Sequence, residues 1–197
     1  MKAIKRTISI LLISLISISC TKEEVVNREA VITPLQSAGT SSGANWASYS
    51  TYSRAEADIV VSGLQGRINE LELKINAEVE GLDYLDFYLI SPSNQILPLM
   101  GYMTQTTPGL ITMDVKLTDK GPLHIDDWTE STSMTGSFYP SGESGYGYGL
   151  ANQMLYDFKG FNDQNPNGQW TVYIREKFSG SAYARIISAE LLISTKY

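Results

Sequence analysis

Few side chains in this sequence could do chemistry, and their scarcity limits the kinds available. The one histidine is His124, followed by Ile125, Asp126 and Asp127. A serine-type triad needs a histidine to move the proton, and no motif ties a nucleophile to His124. Zinc needs three or four ligands from Cys, His and carboxylates; one His and one Cys, Cys20, fall short. Carboxylate pairs of the glycosidase kind remain, with Asp83, Asp86, Asp119, Asp126 and Asp127 as candidates. Calcium asks for several hard oxygens together. Asn162-Asp163-Gln164-Asn165 and Asp157 offer some, although Asx turns account for the same residues. No catalytic residue, metal site or cofactor is therefore expected, calcium being the one metal left open.

What remains is recognition. The segment from Pro122 to Asn152 is irregular, rich in Ser and Gly, and holds Trp128, Phe138, Tyr139, Tyr146 and Tyr148. Loops of this length in compact domains are usually functional or disordered. Tyrosine among Ser and Gly is the composition of recognition loops, because it offers a large amphipathic surface with few torsions to freeze. Trp128, Tyr139, Tyr146 and Tyr148 are the candidate binding residues, for an extracellular protein or a glycan. From Cys20 onward twelve Lys and Arg face twenty-one Asp and Glu, a net charge of −9. That balance argues against nucleic acid, whose phosphates need a basic footprint.

The N-terminus concerns targeting. Lys2, Lys5 and Arg6 precede an apolar run from Ile8 to Ile18. The run is too short to span a bilayer, which takes about 20 residues. Ser19 then precedes Cys20. The pattern resembles a bacterial lipoprotein signal, with Ser17 where such boxes usually have Leu, as in the looser versions of Bacteroides-type bacteria. The resemblance implies that residues 1–19 are removed and that Cys20 is lipidated. Lys22, Glu23 and Glu24 resemble the tag that sends such lipoproteins to the cell exterior. The expected location is the outer membrane, lipid-anchored and facing outward. Residues 20–54, where Ser, Thr and Gly crowd between Ser37 and Ser53, are expected to be a tether that holds the domain away from the membrane.

The rest, residues 55–197, must position any site, and its periodicity is that of strands. Leu71, Leu73, Ile75, Ala77 and Val79 alternate with Glu70, Glu72, Lys74, Asn76, Glu78 and Glu80, which gives one apolar and one wet face. Leu85, Phe87 and Leu89 form the next inner face before a turn at Ser91-Pro92-Ser93-Asn94. Ile111, Met113, Val115 and Leu117 form another. Trp170, Val172 and Ile174 follow a turn rich in Asn and Gly, and the last strand places Ile187, Ala189, Leu191 and Ile193 inward. Short strands punctuated by Gly and Pro predict an all-β, antiparallel sandwich or barrel.

Several of these pieces, in order, resemble the P domain (P/Homo B) that accompanies the catalytic domain of subtilisin-like proprotein convertases. They are Ile59-Val60-Val61-Ser62-Gly63, the strand Ile68 to Val79, and Leu85 to Asn94 with its Ser-Pro turn. Leu155 to Gly160 is similar to the family's Leu-x-x-Phe-x-Gly, and Asn167 to Val172 to its Asn-Gly-x-Trp signature. The resemblance implies a jelly-roll β-sandwich. Val79-Glu80, Tyr84-Leu85 and Arg175-Glu176 depart from the family's polar residues that bind calcium or brace loops in some members. The expectation is a non-catalytic binding module on the cell surface. The alternatives are an accessory to a separate subtilisin-like protease and a carbohydrate-binding module.

Overall fold

The computed structural model describes residues 30–48, 53–101, 103, 109–129, 132–143, 154–177 and 182–197. The strands are β1 (Gln36–Ser41), β2 (Ala47–Ser48), β3 (Ser53–Val61), β4 (Arg67–Glu80), β5 (Leu85–Ile90), β6 (Ile96–Met100), β7 (Ile111–Leu117), β8 (Ser133–Phe138), β9 (Gly168–Glu176) and β10 (Tyr183–Lys196). They form two five-stranded sheets, in the orders β1-β10-β4-β7-β8 and β2-β3-β9-β5-β6. The chain changes sheet between β1 and β2, β3 and β4, β4 and β5, β6 and β7, β8 and β9, and β9 and β10. The expected all-β sandwich is therefore present.

The alternating residues of β4 and β7 meet those of β3, β5 and β9 in one core that includes Ile75, Val115, Ile59, Phe87 and Trp170. Trp170 is wholly buried. Its indole N–H donates to the Pro166 carbonyl at 2.9 Å, and Phe161 meets it edge-on at 5.1 Å. A buried indole needs such a partner for its one polar group.

Four features differ from the sequence reading. First, the sheet reaches back into the expected tether. Gln36–Ser41 pairs with β10, and Val31 and Thr33 bond the backbone of Tyr197 and Thr195. Second, the irregular segment contains β8, which runs parallel to β7, so the sandwich is not purely antiparallel. Parallel neighbours need a long crossover, here residues 118–132 with a 3-10 turn at Ile125–Asp127. Third, Ile187 is not on the inner face. The β10 register shifts between Ile186 and Ser188, so Ile186 points inward at 2% exposure while Ile187 is 38% exposed. A bulge turns the side chain that the simple alternation would bury. Fourth, Glu72 on the expected wet face is buried and pairs with Lys116 across the strands at 3.2 Å.

The turn motifs converge at one end. Asn167 accepts from the Leu64 N–H and donates to the Leu64 carbonyl. Gln164 accepts from Ser93 Oγ at 3.1 Å and donates to Gln95. Gly168 has φ 131°, and a Cβ there would lie 2.7 Å from the Pro92 ring.

Candidate functional site

Because β7 and β8 are parallel, their C-terminal ends lie side by side, and the loops that leave them share one flank with the turn Phe158–Phe161. Asp119, just after β7, accepts from the Phe158 and Lys159 backbone N–H groups at 2.9 Å each. Tyr139, just after β8, is half-buried; its hydroxyl bonds Asp157, and its ring stacks on His124 at 6.1 Å. Burial lifts the Asp119 pKa, with the charge of Asp157 adding to the rise. Burial and the Asp157 and Asp119 charges also lift the Tyr139 hydroxyl. Tyr156 and Leu123, on the adjoining loops, are 76% and 44% exposed. A cleft of about 360 Å³ opens at Asp119, lined also by Leu71, Lys120, Phe158, Lys159 and Asn162 among others.

Beside this flank lies a trio that the sequence reading did not connect. Ser141 Oγ donates to Asp126 Oδ2 at 2.6 Å, and His124 Nδ1 lies 3.9 Å from that same oxygen. In a triad the histidine stands between hydroxyl and carboxylate. Here the carboxylate is in the middle, and Ser141 Oγ also lies 2.9 Å from the Glu143 carbonyl. Asp126 also accepts from the Gly101 N–H at 3.4 Å. The arrangement ties the Ser141 loop to the 3-10 turn.

The candidate binding residues fare unequally. Trp128 is 5% exposed and belongs to the core. It follows Ile125, which inserts from the same turn, and it presents no open face for a sugar or a partner. Tyr139 stands at the flank as described. Tyr146 and Tyr148, and likewise Cys20, Lys22, Glu23 and Glu24, lie outside the described residues. The oxygen-rich run has other work: Asp163 pairs with Lys196 at 2.7 Å, Asn165 Oδ1 accepts from Asn167, and Asp157 accepts from the Gly160 N–H. Among the described residues, no group of three or more His, Cys, Asp or Glu is placed to hold a metal.

A second polar cluster escaped the sequence reading. Asp86 is wholly buried on the side of β5 away from the core. It accepts from Tyr88 at 3.0 Å and faces Arg175 at 3.3 Å and Lys177 at 3.7 Å. Lys177 also donates to the carbonyls of Gly101 at 2.6 Å and Asp83 at 3.0 Å. Burial raises the Asp86 pKa against the pull of Lys177, Tyr88 and Arg175. One signal was available: Leu85 to Ile90 is apolar at nearly every position, which marks a strand covered on both faces.

No family model matches the chain, and neither does any curated protein. Among solved structures it is similar to the serine protease of Aeromonas sobria, at 11% identity and a TM-score of 0.43 over 85% of this chain. It is also similar to a structure of that serine protease in complex with the chaperone, at 10% identity and a TM-score of 0.44 over 86% of this chain. In both cases the match spans 27% of the solved chain, about a quarter of its length.

Proposed function

We propose that this chain is a lipid-anchored binding module of the cell surface, without catalysis of its own, that works through the Tyr139 flank. The observation that supports this is the aromatic exposure there. Tyr156 is 76% exposed and precedes Asp157, which bonds the Tyr139 hydroxyl; Tyr139 stacks on His124, and Tyr146 and Tyr148 fall between Tyr139 and Tyr156 in the sequence. Exposed tyrosine beside charged groups suits a protein partner, since aromatic anchors dominate interface energetics. The Ser141–Asp126–His124 order supports binding over hydrolysis, because the histidine does not stand between hydroxyl and carboxylate.

A second reading, accessory to a separate subtilisin-like protease, has its own support. Three pieces that resemble P-domain motifs pack as units: Gly168 against Pro92, Asn167 on Leu64, and Leu155 over Gly160. The test offers the immobilised full-length protein to the envelope and secreted proteins of its source cells, with Tyr156→Ala as control. The expected result is a partner held by the wild type and bound about tenfold or more weakly by the variant, at an unchanged melting temperature. Equal retention would remove the Tyr139 flank as the working surface. A subtilisin-like protease among the retained proteins would favour the accessory reading, and glycan binding alone would favour the carbohydrate one.

A further inference from the structure

We infer that the end of the sandwich bearing Val31, Ile32, Arg67 and Tyr197 rests directly on the lipid surface that holds Cys20. The inference depends on the lipid anchor proposed above. Three apolar side chains gather there uncovered: Val31 is 62% exposed, Ile32 59% and Tyr197 58%. They are held together by backbone bonds from the Val31 N–H to the Tyr197 carbonyl at 3.3 Å and back at 3.1 Å. Ile32 bridges to Lys196, and Lys196 pairs in register with the exposed Arg67.

Chain length decides what covers this patch. Residues 21–30 separate Cys20 from Val31. Even fully extended they reach only roughly 40 Å. The domain is longer than that reach, since the 14 residues of β4 span roughly 45 Å. The end carrying Val31 is thus tied closer to the anchor than the end carrying Glu80, and it lies within reach of the lipid surface. Its chemistry suits that place: aliphatic side chains for the acyl boundary, with Tyr197 and the exposed Arg67 for the headgroups, the charge of Lys196 being met by Asp163. Glu78 and Glu80, at the far end of β4, are turned away from anionic lipid by the same geometry.

This geometry reverses the expectation that residues 20–54 act as a spacer. It also places the Tyr139 flank near the lipid surface. Lys120, beside Asp119, is paired with Glu70, three residues from Arg67. A partner of that flank would be met at membrane level.

The test uses the full lipidated chain in phosphatidylethanolamine–phosphatidylglycerol vesicles with brominated acyl chains. A fluorophore is placed at Ile32→Cys or at Glu80→Cys, and the mass of the Cys20 peptide is measured in the same preparation. The expected result is that the probe at 32 loses most of its emission while the probe at 80 keeps it. Adding Val31→Asp should restore emission at 32. Equal emission at both sites, with lipid present on Cys20, overturns the docking and leaves the anchor standing. Cys20 without lipid overturns both. A change at 32 that persists without brominated lipid and depends on protein concentration would assign the patch to a second copy, and also overturns the inference.

Discussion

Lys177→Met probes the cluster at Asp86 most directly. The Lys177 side chain is 6% exposed and that of Asp86 1%, so neither charge is well solvated. The substitution keeps the aliphatic stem and removes one ammonium. The Gly101 and Asp83 carbonyls then lose a donor, and Asp86 keeps Arg175 as its one nearby cation. Leaving a buried charge undercompensated costs about 3–5 kcal/mol. For a domain of this size that lowers the melting temperature by roughly 10 °C or more. The cost has a pH signature. The folded-state pKa of Asp86 already lies above its ordinary 3.8. A group raised in this way contributes stability below its unfolded pKa and loses it as pH rises through the folded value. Removing Lys177 raises that value further, so the variant should be penalised most at neutral pH and progressively less as pH falls through the raised folded value and Asp86 takes up its proton. Lys177→Met/Asp86→Asn should recover most of the neutral-pH loss. Urea melts of the three proteins at several pH values measure this. A penalty under about 1 kcal/mol, or one that does not change with pH, would refute the account, as would a double variant no better than the single.

Two further substitutions test the convergence of motifs. Gly168→Ala places a Cβ against the Pro92 ring at a φ of 131° and should cost about 1–3 kcal/mol, read as a lowered midpoint in thermal melts. Trp170→Phe leaves the Pro166 carbonyl without its donor and opens space beside Phe161. It should cost about 2–4 kcal/mol in denaturant melts, with the sandwich's circular dichroism retained.

Much of the sandwich was legible because its central strands alternate cleanly; β4 and β7 bury the residues that period two selects. The departures have physical causes that composition hides. β1 buries little of itself and is held by backbone bonds. A Cβ at Gly39 would lie 2.8 Å from Ile59, so the glycine that reads as linker is what lets this strand lie against β3. β8 has only two buried residues, Met134 and Phe138, and pairs without a hairpin turn to announce it. The Asp86 cluster joins residues about ninety positions apart, Arg175 to Asp86 and Tyr88, and no local pattern encodes such a pairing.

The flank proposed for binding depends on the feature the sequence concealed best. Leu117 pairs with Phe138 at the ends of β7 and β8, and beyond them His124 bridges to Tyr139 in the same parallel sense. An antiparallel β8 would have sent Tyr139 to the opposite end of the sheet, a strand's length from Asp119 and from the turn at Phe158. The aromatic residues were visible as a composition. That Tyr139 joins His124 and Asp157 while Trp128 turns into the core follows from strand direction and from the 3-10 turn at Ile125–Asp127. The recognition surface proposed here is therefore a property of the crossover between two parallel strands, and on that proposal variants that disturb the crossover should disturb binding before they disturb the core.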